Sequence, residues 1–178
     1  MSRTTIHSDP ADAVAGIADG ATILVGGFGM AGMPTTLVDA LIHQGATDLT
    51  IVSNNAGNGD TGLAALLAAG RVAKVVCSFP RQSDSHVFDE LYRAGRVDLE
   101  VVPQGNLAER MRAAGAGIGA FFCPTAVGTP LAEGKETRTI DGRDYVLEYP
   151  IRGDVDCSGH EASLVASDMA ERFSTRST

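Results

Sequence analysis

Residues 19–34, DGATILVGGFGMAGMP, constrain the fold of this chain more than any other stretch. Thr22, Ile23, Leu24 and Val25 form a short apolar run rich in β-branched residues, which reads as a buried strand. The run opens into Gly26, Gly27, Phe28, Gly29, Met30, Ala31 and Gly32. Beyond Met33 and Pro34, the apolar positions Leu37, Val38, Leu41 and Ile42 repeat at helical spacing. Residues 35–43 therefore read as a helix with Pro34 in its first turn, where the missing N–H costs nothing. The layout is strand, glycine turn, helix. Backbone N–H groups left bare by such a turn can hold a phosphate or carboxylate oxygen, aided by the positive end of the helix.

Two other readings share these letters. Gly27, Gly29 and Gly32 satisfy the dinucleotide fingerprint G-x-G-x-x-G in its strand-to-helix context. That reading wants an acidic residue at the far end of the next strand, to hold a ribose hydroxyl. The next strand runs into Ser53, Asn54 and Asn55, and Asp48 sits before it, on the wrong edge of the sheet. A purely structural glycine turn, with no ligand, is the third reading.

Along the rest of the chain, strands and helices alternate. Residues 11–18 read as a short helix with Ser8 or Asp9 as its cap and Pro10 at its start. Strands are expected at 47–52, 72–77 and 99–102, and helices at 62–69, from Ser83–Ser85 through Tyr92, and at 107–114. Phe121, Phe122 and Cys123 form an apolar run before Pro124. Near the C-terminal end, residues 137–140 and 143–147 flank Asp141-Gly142, a pair that favours the tight turn of a β-hairpin. The pattern predicts an α/β fold, an open and mostly parallel sheet flanked by helices, with that hairpin added. Ligands of such sheets collect beyond the carboxyl ends of the strands. The glycine turn, Asn54-Asn55, Phe79-Pro80-Arg81 and Pro103-Gln104-Gly105 are all expected on that edge.

Composition narrows the function. A chain of 178 residues suits one well-buried domain, and 44% hydrophobic residues with a mean hydropathy near zero indicate a globular protein. No apolar run approaches membrane-spanning length and the first residues do not resemble a signal peptide, so a cytoplasmic protein without membrane attachment is expected. The three cysteines, Cys77, Cys123 and Cys157, are odd in number and far apart, and the four histidines are scattered, so neither disulfides nor a metal site is expected. A net charge of −8 argues against nucleic acid as a partner. It also means that a phosphate-bearing ligand must be held by local backbone donors.

Side-chain chemistry is sparse. Arg81-Gln82-Ser83-Asp84-Ser85-His86 contains serine, aspartate and histidine, but neighbours at a helix start do not converge as a catalytic triad, and helix capping is their expected task. Arg81 is open to pairing with a carboxylate or phosphate, or to plain solvation. Asn54, Asn55 and Gln104 can donate to a carboxylate or a developing oxyanion without titrating, or can simply shape loops. These residues offer an anion-binding edge with amide donors, and no nucleophile.

The segments GGFGMAGMP, SNNAGNG, CSFPRQSD, FDELYRAG, EVVPQGNLAERMRAAGAGIGAFF, PTAVGT and LAEGKET together resemble the A (alpha) chain type of the 3-oxoacid CoA-transferases, over residues 17–153. Within that family the match is to members that act on 3-oxoadipate with succinyl-CoA in aromatic-compound breakdown; acetoacetate is the alternative acid. The resemblance implies an open α/β fold of the CoA-transferase type and an enzyme of A and B subunits. It implies a glutamate of the B subunit that attacks the acyl-CoA, forms a glutamyl-CoA thioester and passes CoA to the second acid. CoA then enters as a thioester substrate, with no tightly bound cofactor. The family's CoA-binding glycine motif falls on Gly26–Gly32, its double asparagine on Asn54 and Asn55, for the acid's carboxylate, and its oxyanion-supporting glutamine on Gln104.

After Asp154 the chain departs from the family pattern. Residues 1–153 are expected to form the domain of a CoA-transferase A subunit, and residues 154–178, polar and serine-rich, a poorly ordered tail arising from truncation or a shifted reading frame. Resequencing the gene checks this; an intact frame removes the idea. A nicotinamide-dependent oxidoreductase and a non-catalytic sugar-phosphate-binding domain stay open as other classes, the latter by analogy of fold.

Overall fold

The computed structural model describes residues 7–157 and the strand at 164–166. In chain order the elements are α1 (Pro10–Val14), β1 (Thr22–Val25), α2 (Thr35–Gln44), β2 (Leu49–Ser53), α3 (Leu63–Ala68), β3 (Val72–Cys77), α4 (His86–Arg93) and β4 (Asp98–Val101). There follow α5 (Gln104–Gly115), β5 (Phe121–Cys123), a 3-10 turn (Pro130–Ala132), β6 (Thr137–Ile140), β7 (Arg143–Glu148), β8 (Val155–Cys157) and β9 (Leu164–Ala166). The chain divides into two compact units, one formed by the residues up to Glu100 with those from Gly153 onward, the other by Val101–Arg152.

The first unit is the expected α/β body. Its sheet has the order β4-β3-β2-β1-β8-β9, with β3, β2, β1 and β8 parallel and β9 antiparallel to β8. Helices α2 and α3 cross between successive strands in the same direction, which for right-handed connections puts them on one face. There α1 packs on α2, α2 on α3 and α3 on α4. Beneath them Val155, Ile23, Ile51 and Val75 lie in register across four strands. Ile23, Ile51 and Val75 are fully buried and meet Leu37, Val38 and Leu41 of α2 and Leu63, Leu66 and Leu67 of α3 in one apolar core.

Strand β8 falls in the segment read from sequence as a tail. It lies beside β1, joined by Asp154 N–H to Thr22 O at 2.8 Å, by Thr22 N–H to Asp154 Oδ2 at 2.8 Å and by Gly26 N–H to Cys157 O at 2.9 Å. Three residues suffice because β1 offers an open edge and Cys157 is buried against it. Apart from β9, the rest of the expected tail lies outside the described residues.

In the second unit the expected hairpin forms, with Asp141 at φ 49° and Gly142 at φ 75° in its two-residue turn. Its strands join β5 in an antiparallel sheet of order β5-β7-β6, so the Phe121–Cys123 run is a sheet strand. Helix α5 starts three residues earlier than its apolar pattern predicts. Pro103, at φ −51° and ψ 139°, delivers the chain into the helix, and Gly105, a weak helix former, is carried along by its neighbours. Next to it Asn106 Nδ2 donates to Glu148 Oε1 at 3.1 Å. Glu148 is 1% exposed and also takes Lys135 Nζ at 2.8 Å, with Arg110 Nε 3.8 Å from its other oxygen. A buried carboxylate is tolerated because these donors surround it. Arg110 further donates to Tyr149 O at 2.6 Å, strapping α5 to the chain beyond β7.

Candidate functional site

At β1 the order of the sheet reverses, since β2 lies on one side of it and β8 on the other. Ligands of open α/β sheets bind outside the carboxyl ends of the strands at such a switch point. The chain leaving β1 there is the turn Gly26–Gly32.

The turn is braced from within. Phe28 N–H donates to Ala31 O at 2.9 Å and Ala31 N–H returns to Phe28 O at 3.1 Å. With Gly26 N–H bonded to Cys157 O, three of the seven N–H groups expected to be bare are already engaged. Those of Gly27, Gly29, Met30 and Gly32 meet no acceptor among the described residues. Gly27 is at φ 116°, and a Cβ there would stand 3.0 Å from Met33 N and 3.2 Å from Ala31 O, so only glycine lets the turn close on itself. Met33 is buried, its sulfur against Gly62 at the start of α3. Pro34 serves as the cap position of α2 rather than inside its first turn. Phe28 remains 66% exposed and Met30 40% exposed, with the Phe28 ring 5.9 Å from that of Phe79.

The neighbouring strand ends lean on this turn. Asn54 and Asn55 are buried at the carboxyl end of β2. Asn55 Oδ1 accepts from Gly57 N–H at 2.8 Å, and its Nδ2 reaches Gly29 O at 3.4 Å, a long contact that orients more than it binds. Asn54 O accepts from Ser78 N–H and Phe79 N–H, tying the end of β2 to that of β3. The acid required by a dinucleotide site is not at the end of β2; Asp48 stands before its first residue, at φ 57°.

Three of the four segments expected on one edge, those after β1, β2 and β3, share it. The fourth is in the second unit, where Gln104 is the first residue of α5 rather than part of a loop. The segment 81–86 departs from simple capping. Ser85 holds the cap position of α4 without a capping bond; its Oγ accepts instead from Gln82 N–H at 2.6 Å. Asp84 Oδ1 is 2.8 Å from His86 Nδ1 and, by that hydrogen bond first, raises the histidine's pKa. Arg81 Nε pairs with Asp89 Oδ1 at 2.6 Å. Sequence reasoning passed over Gln82, which the structure places beside Gly29; its position two residues past Pro80, at a strand's carboxyl end, was the available signal.

No activated nucleophile emerges from the thiols. Burial pushes Cys77 up to about 12 and, with the nearby Asp156 charge, Cys157 up to about 12, so both stay protonated at neutral pH. Among the described residues no group of histidine, cysteine and carboxylate side chains could hold a metal ion, and no helix is long and apolar enough to cross a membrane. The arrangement can bind an anion or a thioester through neutral donors.

The profile of the coenzyme A transferase family matches residues 7–161. The chain is 75% identical over 144 residues to the A subunit of the 3-oxoadipate CoA-transferase of Pseudomonas putida, covering 81% of this chain and 62% of that protein. It is 64% identical over 143 residues to the A subunit of the 3-oxoadipate CoA-transferase of Acinetobacter baylyi, covering 80% of this chain and 63% of that protein. The chain thus spans about three fifths of the length of these relatives. In fold it is similar to the crystal structure of glutaconate coenzyme A-transferase from Acidaminococcus fermentans, with a TM-score of 0.72 and 21% identity over 83% of this chain and 54% of that one. On the extent of the profile match and on this likeness of sequence, the chain belongs to the coenzyme A transferase family.

Proposed function

We propose that this chain is the A subunit of a CoA-transferase that moves CoA from succinyl-CoA to 3-oxoadipate, acting with a B subunit that carries the nucleophilic glutamate. The observation that carries the reading is the identity of 75% with a protein of that name over a stretch that includes the glycine turn, the double asparagine and Gln104. The site agrees with it, since it presents neutral donors and buried, protonated thiols, with no candidate nucleophile of its own.

The partner's carboxylate attacks the thioester carbonyl of succinyl-CoA, and the carbonyl oxygen takes up negative charge. Gln104 steadies that charge with its side-chain amide, which needs no proton transfer to act. The thiolate of CoA leaves, returns to the glutamyl carbonyl and releases succinate, leaving a glutamyl-CoA thioester. The carboxylate of the 3-oxoacid then repeats these steps in reverse and departs as its CoA ester, restoring the glutamate. Throughout, Gly26, Gly27, Phe28, Gly29, Met30, Ala31 and Gly32 hold CoA, through the open amides of the turn and its exposed apolar tip. Asn54 and Asn55 receive the acid's carboxylate. For Asn55 this leaves Nδ2, beside Gly29, as the donor, because Oδ1 is engaged with Gly57.

The test is transfer by the reconstituted pair. Neither chain alone should form 3-oxoadipyl-CoA from succinyl-CoA, and the mixture should. In the mixture Gln104→Ala should lower kcat by roughly a hundredfold with little change in KM, because an oxyanion donor acts mainly in the transition state. Transfer by the isolated chain, or an unchanged kcat, would remove the corresponding part of the proposal.

A further inference from the structure

Residues 78–85 connect β3 to α4 at the carboxyl edge of the sheet, and Gln82 is the residue there that faces the glycine turn. Its backbone is pinned by a single hydroxyl: Gln82 N–H donates to Ser85 Oγ at 2.6 Å, and Ser85 Oγ lies 3.4 Å from Gln82 O. The side chain extends to the turn, so that a Cβ on Gly29 would stand 3.2 Å from Gln82 Oε1. Across the same Gly29, Asn55 Nδ2 reaches the carbonyl oxygen. Two amide side chains therefore bracket one residue of the turn.

They differ in one respect. Asn55 has partners at both ends of its amide, whereas Gln82 Nε2 is buried and meets no acceptor among the described residues. A buried donor without an acceptor lowers stability, and such a group is retained where something outside the chain completes it. The neighbouring charges are engaged with one another. Arg81 is bonded to Asp89, which also takes Arg93 at 3.3 Å, while Asp84 is bonded to His86.

We infer that Gln82 determines which acid the site accepts, by donating from Nε2 to the distal carboxylate of a dicarboxylic 3-oxo acid. The inference rests on the CoA-transfer reading above and names a specificity residue within it. 3-Oxoadipate and a simple 3-oxo acid share the carboxylate that becomes the thioester and the neighbouring oxo group; the second carboxylate is what distinguishes them. An uncharged donor suits this task in a chain of net charge −8, because it offers a hydrogen bond without titrating. A hydrogen bond to a charged acceptor at a buried donor is worth roughly ten- to a hundredfold in discrimination.

The assembled enzyme, this chain with its B subunit, is assayed with succinyl-CoA and either 3-oxoadipate or 3-oxohexanoate, which has the same carbon chain without the distal carboxylate. Under ping-pong kinetics kcat/KM for the acceptor reports the half-reaction with that acid alone. Where 3-oxohexanoate is not turned over, its inhibition constant against 3-oxoadipate serves in its place. Gln82→Ala should lower kcat/KM for 3-oxoadipate roughly tenfold or more. Gln82→Glu, close in shape and opposed in charge to the donor it replaces, should lower it further. Neither should alter the value for 3-oxohexanoate. Equal losses with both acids, as a purely structural residue would give, or no loss with 3-oxoadipate, would overturn the inference. Absence of transfer to either acid by the unaltered enzyme would instead overturn the CoA-transfer reading, and this inference with it.

Discussion

Asn55 is held at both ends of its amide, by Gly57 N–H at 2.8 Å and by Gly29 O at 3.4 Å, and it is fully enclosed. Replacing it by alanine leaves the Gly57 N–H without its acceptor, which should cost about 1–3 kcal/mol in unfolding free energy, measured by denaturant titration. A change well below that range would show that the loop does not depend on the side chain. His86 offers a second reading at this scale. The hydrogen bond from Asp84 raises its pKa, so the folded value lies above the unfolded one. The pair therefore favours the folded state at pH below the ordinary histidine range, and that contribution fades as pH rises through the elevated value. By NMR, His86 should titrate above a free histidine, and Asp84→Asn should bring it back down. An unshifted titration, or no response to Asp84→Asn, would remove the pair.

The elements of the first unit were legible because their signals are local. Strand β1 and strand β3 occupy the residues that the β-branched runs mark, and α2 buries Leu37, Val38 and Leu41 as their spacing requires. Ile51 sits at the centre of that arrangement, between Ile23 and Val75. Ile51→Ala should destabilise the fold by roughly 2–5 kcal/mol, through lost burial and the cavity left behind. A loss under 1 kcal/mol by thermal or denaturant unfolding (roughly the cost of a single methyl deletion) would mean the core is not built around this row. What was illegible depended on distant partners. The first turn of α5 has an unfavourable Gly105 and is fixed by Pro103 and by Asn106 meeting Glu148, forty-two residues on. Strand β8 is three residues long and exists because β1 leaves an edge beside it. The site was legible as a glycine turn and an asparagine pair. How far the turn's amides are already engaged, and the approach of Gln82 to Gly29, required the folded chain.

Over the whole molecule, the chain combines an α/β unit carrying the glycine turn at a switch point with a second unit in which a buried glutamate anchors the helix that starts at Gln104. Both present amides and glycines where an acyl-transfer enzyme also needs a nucleophile. Cys77 and Cys157 are buried and stay protonated, so they do not supply it. The account assigns attack on the thioester to a second polypeptide, and the covalent intermediate reports directly where attack occurs. Succinyl-CoA, this chain and its B subunit are mixed without an acceptor acid, quenched in acid, and each polypeptide is weighed by mass spectrometry. The account predicts one CoA moiety on the B subunit, with the mass of this chain unchanged; a CoA adduct on this chain would contradict it.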